Sequence, residues 1–144
     1  MTQHSDIQPK SMRASEVSTM LDALGDERYM VLETRKRDGS WVPTPVHLVV
    51  EGHRVYFRTW SKAGKAKRLR NFPEVRIAAS GGRGRVHGPA MCGTARLLED
   101  DEAHRVASLI NHKYPVLQGI AVRYGHKLMR YHTQHYAIGD IEPC

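Results

Sequence analysis

The chain has 144 residues, of which 40% are hydrophobic and 26% charged, and its formal net charge is +7 at pH 7. This length suits one domain with a single core, and no apolar run approaches the roughly 18 residues that a membrane-spanning helix needs. The first dozen residues lack the apolar stretch of a secretory signal, so we expect a cytoplasmic protein. A chain this basic leaves nucleic acid, an anionic membrane surface and an anionic small molecule open as partners.

Residues 1–13 are predicted to be a disordered leader, and residues 14–144 a single domain. Apolar residues recur at helical spacing between residues 14 and 25, which predicts a first helix. The period then changes to two, and Asp38-Gly39 between two alternating segments predicts a β-hairpin. The predicted elements, in chain order, are a helix at 14–25, strands at 28–36, 41–50 and 53–59, a helix at about 61–71, strands at 75–79 and 90–98, a helix at 101–114 and a strand at 135–141.

Six short antiparallel strands with helices at their margins predict a mainly β protein. They favour a small barrel over a sandwich or a doubly wound sheet. The segment from residue 115 to residue 130 is ambiguous and is compatible in part with a helix. Neither GxGxxG nor GxxxxGKS/T occurs in the sequence, which excludes the two common loops that bind dinucleotides and nucleotides. GxSxG is also absent, and no nucleophile-and-base pair typical of a hydrolase is recognisable.

Pro43 and Pro45 lie two apart in a segment that otherwise has the pattern of a buried strand. Successive N–H groups of a strand point to opposite sides, so the two prolines remove donors from the same side. Such a strand belongs at the edge of a sheet, where that side is bare or lies beside something other than a strand. A flat heterocycle would fit there, with Thr44 offering a hydroxyl or an N–H group. The alternative is an ordinary edge strand that proline protects from aggregation.

The thirteen residues from Arg58 to Arg70 contain six Lys or Arg and no acidic residue. Ser61 is a suitable N-cap, so we expect a strand that leads into a helix with a basic first turn. The free N–H groups and the positive end of the helix dipole make such a start a site for anions. Ser61 with Lys65 resembles a phosphate-binding pair, and Arg68 lies one turn further along. The alternative is a solvated basic face.

The wider segment 52–87 holds ten Lys or Arg against one acid, a net charge of +9, whereas the rest of the chain sums to about −2. The positive charge is therefore local, which favours a binding surface. Arg83 and Arg85 lie in a glycine-rich stretch that could close over an anion or be only a mobile surface loop. Nucleic acid competes for the same charges. That case is weak, because Tyr56 and Phe57 are predicted on opposite faces of their strand and cannot both stack on bases.

The two cysteines, Cys92 and Cys144, fit no zinc pattern, and we expect two reduced thiols and no structural disulfide. Nine histidines are present. His132 and His135 are three apart but lie at the start of an extended segment, and His112 and His126 have no partner at a known ligand spacing. We therefore expect exposed or structural histidines and no bound metal.

Several short motifs follow one another between about residue 28 and residue 114. They are DG at 38–39, VPTPV at 42–46, TxSxxxKxKRxRNxPxV at 59–75, GRG at 82–84, GP at 88–89 and GxAR at 93–96. As an ensemble they closely resemble the deazaflavin-dependent branch of the pyridoxamine-phosphate-oxidase-like family. The members of that branch are split β-barrel flavin or deazaflavin oxidoreductases of mycobacteria and related actinobacteria.

The resemblance implies a six-stranded antiparallel split β-barrel, a homodimer, and a cofactor bound in a groove between the subunits. It also implies an oxidoreductase that uses coenzyme F420 for hydride transfer to or from C5 of the deazaflavin ring. F420 carries a phosphodiester and an oligoglutamate tail, and a strongly basic groove suits such a polyanion. By resemblance, the residues that would hold it are Val42, Pro43, Thr44, Pro45 and Val46 along the ring, Thr59, Ser61, Lys65 and Arg68 at the phosphate, and Lys62 and Arg83 near the tail.

The resemblance leaves alternatives open. One is the same fold with flavin mononucleotide (FMN), which needs a smaller basic surface, and another is a non-catalytic module that binds a cofactor, haem or another anion. No dedicated catalytic acid is expected, and the substrate is expected to be a small conjugated organic molecule. His47 and Tyr131 are candidate substrate neighbours by position alone. The sequence does not decide whether Lys62 or Lys65 is the main phosphate ligand.

Overall fold

The computed structural model describes residues 10–115 and 133–144. This part of the chain forms three helices and seven strands. In chain order they are α1 (Lys10–Gly25), β1 (Tyr29–Arg35), β2 (Trp41–Val46), β3 (Val49–Glu51), β4 (Arg54–Trp60), α2 (Gly64–Asn71), β5 (Glu74–Ser80), β6 (Met91–Leu97), α3 (Asp100–Lys113) and β7 (Thr133–Pro143).

All seven strands form one antiparallel sheet in the order β2-β1-β5-β6-β7-β4-β3. The two edge strands are β2 and β3, although only His47 and Leu48 separate them along the chain. The sheet must therefore curl until its edges approach each other at these two residues, which gives a half-barrel that is split along one side. The predicted mainly β architecture with helices at its margins is confirmed.

The prediction of six strands is wrong, because the single strand predicted at 41–50 is two strands. No glycine lies between Trp41 and Val50, and the two prolines lie within β2 and not at the break, so the sequence gives no local sign of it. The break arises at the level of the whole sheet, where the chain crosses from one edge to the other. The prediction that the strand with the two prolines lies at an edge is confirmed for β2.

The predicted hairpin at Asp38-Gly39 joins β1 to β2. Gly39 has a positive φ of 89°, a conformation that glycine adopts without steric cost. The Ser40 backbone N–H and hydroxyl both donate to Asp38 Oδ1, at 2.9 and 2.6 Å. The turn and its side-chain bonds fix the register that places Val42 opposite Thr34.

Two apolar clusters hold the molecule together. The inner face of the sheet packs around Leu32, Phe57 and Ile138, and both α1 and Leu69 of α2 contribute to this core. The outer face of β3, β4 and β7 packs against α3 in a second cluster that includes Tyr56 and Val106. Burial of these two faces is the main stabilising contribution to the fold.

The second helix begins later than predicted. Ser61 was the expected N-cap of a helix at about 61–71, but α2 begins at Gly64, and its N-cap residue Ala63 makes no side-chain capping bond. Ser61 instead lies in a turn in which the Ala63 N–H donates to the Trp60 carbonyl at 3.0 Å. The strand β4 continues to Trp60, so the chain needs these residues to change direction before a helix can start.

The remaining predicted elements are present with small shifts at their ends. The first helix begins at Lys10, four residues before the predicted start. Residues 1–9, which include most of the predicted leader, and the ambiguous segment 116–130 lie outside the described residues. No helix in residues 10–115 or 133–144 is long and apolar enough to cross a membrane.

The prediction of two free thiols is wrong, because Cys92 and Cys144 form a disulfide. The sequence separation of 52 residues hid this pairing in the sequence. Strand pairing explains it, because Cys92 of β6 lies opposite Glu142 of β7, which brings Cys144 close. Disulfides are less common in the cytoplasm than outside it, and the cytoplasmic location stays a prediction.

Candidate cofactor-binding site

The predicted ring-binding segment lies on β2, at the edge of the sheet. Pro43 and Pro45 are exposed on the outer face, opposite Glu33 and Val31 of β1. Because the N–H and C=O groups of one residue lie on the same side of a strand, both prolines turn a carbonyl, and no N–H, toward the free edge. This edge therefore offers hydrogen-bond acceptors to whatever lies beside it.

The other residues of the segment face the interior. Val46 is buried in the core, whereas Val42 and Thr44 are half-buried. The Thr44 hydroxyl donates to the Leu32 carbonyl at 3.4 Å, a long hydrogen bond. The two half-buried side chains leave the inner side of the edge partly open.

The start of α2 holds a guanidinium group. Arg68 Nε donates to the hydroxyl of buried Thr34 at 2.7 Å. Its Nη1 lies over Gly64, where an added Cβ would stand only 2.9 Å from it. The glycine thus leaves room for the Arg68 guanidinium over the first residue of the helix. Because Thr34 is the register partner of Val42, this charge lies close to the beginning of β2.

A second cation stands beside the first. Lys65 is half-buried, and burial, followed by the neighbouring charge of Arg68, lowers the pKa of its ammonium group from the usual value. Two adjacent cations with lowered solvation favour an anion between them. The uncapped N–H groups at the start of α2 add donors for that anion.

The other predicted phosphate residues lead into this helix start. Thr59 is buried at the end of β4, with 6% of its surface exposed. Ser61 is half-buried, and its carbonyl accepts a hydrogen bond from Arg70 Nη1 at 3.4 Å. Thr59 and Ser61 thus lie just before the start of α2, the helix that carries Lys65 and Arg68. Ser61 does not cap this helix.

The residues predicted near the tail are less fixed. Lys62 and Arg83 are exposed, and no hydrogen bond or ion pair among the described residues joins them to β2. The glycine-rich loop itself approaches the strand, because a Cβ at Gly84 would lie 4.0 Å from Pro45 Cδ. Arg83 therefore lies on a loop that approaches Pro45 at the edge of the sheet.

A cluster of aromatic rings lies at the C-terminal end of β2, and the sequence did not predict it. The ring of His47 stacks on Tyr114, with centroids 4.1 Å apart, and lies 4.9 Å from the ring of Tyr29. The Tyr114 hydroxyl accepts from the Leu48 N–H at 3.2 Å and donates to the Arg28 carbonyl at 2.8 Å. Burial raises the pKa of Tyr114. His47 alone had been noted, by its position in the sequence.

Lys113 also binds the residues that connect the two edge strands. Its Nζ donates to the carbonyls of Gly25, Glu27 and Leu48 at 3.2, 2.7 and 2.9 Å. The contacts of Lys113 and Tyr114 with Leu48, together called the Leu48 anchor below, hold the two residues that join the edges of the sheet. Helical spacing predicted the element α3 but gave no sign that its last turn reaches this far.

Arg58 and His135 form a separate pair that the sequence did not single out. They are register partners on β4 and β7, and Arg58 Nη1 donates to Asn111 Oδ1 at 2.8 Å. Burial, followed by the charges of Arg58 and His104, lowers the pKa of His135 to about 4. A buried histidine cannot be told from an exposed one by sequence spacing.

No group of three or more His, Cys, Asp or Glu side chains in residues 10–115 and 133–144 is arranged to hold a metal ion. His126, His132 and Tyr131, which the sequence analysis considered, lie outside the described residues.

No protein-family model matches the sequence, and no curated protein matches it. Solved structures are similar. A Listeria innocua protein provisionally assigned as a pyridoxamine 5'-phosphate oxidase is 15% identical, with 90% of this chain and 96% of that chain covered and a TM-score of 0.59. A NimC/NimA family protein from Clostridium acetobutylicum is 15% identical, with 93% and 90% covered and a TM-score of 0.60.

A haem-binding protein from Mycobacterium smegmatis is 16% identical over 92% of this chain, with a TM-score of 0.60. This chain covers only 52% of it. At such identities the likeness shows the fold alone. The chain therefore has the split-barrel fold of the pyridoxamine-phosphate-oxidase-like proteins.

Proposed function

We propose that the protein is an oxidoreductase that binds coenzyme F420 as a homodimer and uses it for hydride transfer to or from a small conjugated organic substrate. One observation carries the proposal: Thr34 holds the Arg68 guanidinium over the uncapped start of α2, beside half-buried Lys65. Two cations and free N–H groups at one helix start suit a phosphate group. This site lies next to the edge strand β2.

The edge of β2 fits the flat ring. When bound, F420 supplies a hydride donor or acceptor at carbon C5 of its ring. Pro43 and Pro45 prevent another strand from pairing at this edge, and their outward carbonyls can accept from the ring N–H. Val42 and Thr44, both half-buried, would contact the ring from the inner side. The protein's part is to orient the ring and to exclude water from it.

The tail of F420 would extend over the exposed cations. Lys62 lies just before α2, and Arg83 stands on the loop that touches Pro45. Neither side chain is buried, so we expect each to contribute modestly and to be screened by salt. A second subunit would complete the groove on the open side of β2.

FMN is the second candidate, and one observation favours it. Of the predicted phosphate and tail residues, only Lys65 and Arg68 are both charged and partly buried, and two cations are enough for the single phosphate of FMN. F420 is preferred because the net charge of +9 over residues 52–87 exceeds what one phosphate needs.

The test is a fluorescence titration of the purified protein with F420 and, in parallel, with FMN. Lys65→Ala should weaken F420 binding about 10- to 150-fold, which is the loss of roughly 1.5–3 kcal/mol expected for a charge-assisted bond. Lys67→Ala is the matched control, because Lys67 is exposed on the same helix, and it should change the affinity less than threefold, about 0.6 kcal/mol. Equal losses in the two variants would remove Lys65 from the site.

A comparison of salt dependence separates the two cofactors further. If the tail lies along the basic surface, the affinity for long-tailed F420 should fall more steeply with ionic strength than the affinity for its tail-free precursor. Tighter binding of FMN than of F420 would assign the protein to the second candidate. Binding of neither would reject both and leave haem or another anion to be tested.

A further inference from the structure

Arg58 is a half-buried cation whose charge is not balanced locally. Its hydrogen bond at 2.8 Å goes to the neutral amide oxygen of Asn111. No carboxylate of the described residues forms an ion pair with it, although Arg54 on the same face of β4 pairs with Glu102. A guanidinium has five N–H donors. Burial lowers the pKa of Arg58, which is the effect of removing a charge from water without supplying an anion.

A second half-buried group, His135, lies beside Arg58 and has a ring nitrogen without a hydrogen-bond partner. His135 lies directly across the β4–β7 ladder, and its Nε2 is buried without a hydrogen-bond partner. The charged groups that act on it come from two elements, Arg58 on β4 and His104 on α3. The N–H of Leu98, the residue after β6, donates to the His135 carbonyl at 2.8 Å. Buried polar atoms without partners are uncommon in native proteins. An anion here would satisfy both side chains.

An aromatic cluster lies close to this pair, with Tyr114 buried and His47 half-buried. The charge of Arg58 lowers the pKa of His47 as well as that of His135, so the guanidinium is near both imidazoles. His47 stacks on Tyr114 and directly follows Val46, the last residue of β2. The unbalanced cation is therefore next to aromatic rings at the end of the proposed ring-binding strand.

We propose that Arg58, with Asn111 and His135 beside it, binds a carboxylate of the substrate, whose conjugated part lies beside the half-buried ring of His47. The inference rests on the proposed function only in taking the ligand to be the substrate. The carboxylate site itself can be tested without any cofactor. The inferred substrate class is therefore conjugated or aromatic carboxylates.

The probe is benzoate, and the readout is the imidazole of His135 followed by NMR in the full chain, with the signal assigned from His135→Gln. Benzoate should raise the pKa of His135 from about 4, because a neighbouring anion favours the protonated ring. Benzamide, which has the same shape and no charge, should leave it unchanged. An equal response to both compounds, or to neither, would overturn the proposal.

Variants at two positions of β4 locate the effect. Arg58→Gln should weaken benzoate binding at least about tenfold, whereas Arg54→Gln removes an exposed charge from the same face and should leave it within about twofold. Arg58→Lys keeps the charge without the planar fork and should weaken binding severalfold, which provides a test if the glutamine variant does not fold. Wild-type affinity in either Arg58 variant would contradict the assignment.

A parallel F420 titration separates this inference from the proposed function. Arg58→Gln is expected to bind F420 as the wild type does, because Arg58 lies on the outer face of β4 and the phosphate site lies at the start of α2. Loss of benzoate binding with unchanged F420 binding supports the carboxylate site. Benzoate binding without F420 binding would retain this site and reject the cofactor.

Discussion

The two halves of the outer surface of the sheet differ in what lies on them. The half formed by β3, β4 and β7 is covered by α3, with Tyr56 and Val106 among its buried contacts. The half formed by β1, β2 and β5 carries exposed prolines and a partly exposed ion pair, in which Arg76 bonds Glu33 at 3.0 Å and stacks on Trp41 at 4.3 Å. The covered half provides stability, and the uncovered half leaves an edge free for a ligand or a second subunit.

The chain passes between these halves within two residues. His47 and Leu48 connect β2 to β3, and the Leu48 anchor joins them to the last turn of α3. On the opposite side, β6 lies between β5 and β7, and the disulfide links β6 to the end of β7. Covalent and polar links are thus found where the halves meet. Four predictions test this division.

Reduction of the disulfide should have the largest effect on stability. Cys92 and Cys144 are 52 residues apart, and a crosslink over such a loop typically contributes about 2–4 kcal/mol. Urea unfolding with and without dithiothreitol measures the difference. The variant Cys92→Ser with Cys144→Ser should be insensitive to the reductant. An identical unfolding midpoint for the oxidised and reduced wild type would show that the crosslink does not join the halves in solution.

Tyr114→Phe tests the Leu48 anchor. The change removes a hydroxyl that accepts from the Leu48 N–H and leaves that buried donor unsatisfied, so the free energy of unfolding should fall by about 1–3 kcal/mol. Tyr29→Phe, on the other side of the His47 ring, is the matched control and should cost less. If both variants unfold at the same urea concentration, the hydroxyl does not stabilise the crossing.

The covered half should also give the fold a pH dependence. Because the pKa of His135 falls from 6.5 to about 4 in the folded state, the folded protein resists protonation of a group that the unfolded chain protonates freely. The stability that the neutral His135 ring contributes is complete above pH 6.5 and is lost as the pH falls toward 4. Urea unfolding at about pH 7 and about pH 5 should show a smaller difference for His135→Gln than for the wild type. His104→Gln, an exposed change on α3, removes only the smallest of the three causes that lower the pKa of His135 and should retain most of the wild-type difference.

The smallest effect on stability is expected at the uncovered edge. Pro43→Thr with Pro45→Thr restores two N–H donors on a side that pairs with no strand, so the free energy of unfolding should change by less than about 1 kcal/mol. The restored donors make the edge a template for another strand, and light scattering should show more association at high concentration. A large loss of stability would mean that this edge is part of the folded core.

Local pattern predicted much of the fold. The Asp38-Gly39 turn, the alternation of the strands and the two prolines are local signals, and the structure has the corresponding hairpin, strands and edge. The break at His47 and the disulfide depend on which strands are neighbours in space, which no local pattern records. The prediction of Ser61 as an N-cap was wrong because β4 continues to Trp60 and the chain turns at Ser61. The helix can begin only after this turn, at Gly64.

The candidate site was predicted in part for the same reason. Lys65 and Arg68 were recognised because charge and spacing are visible in a sequence. The position of Arg68 over Gly64, and its bond to Thr34, required a contact between residues 34 apart. Arg58 and His135 became candidates only when their burial and pairing were known.

The place of β7 in the sheet has a consequence for how the protein is made. This strand lies between β4 and β6, yet it is synthesised after both. Until it leaves the ribosome, the chain can form only two separate sheets, β2-β1-β5-β6 and β4-β3, each with an unpaired strand that later becomes internal. We therefore expect nascent chains that end before residue 133 to bind chaperones or aggregate, and to fold only when the last strand joins the two parts.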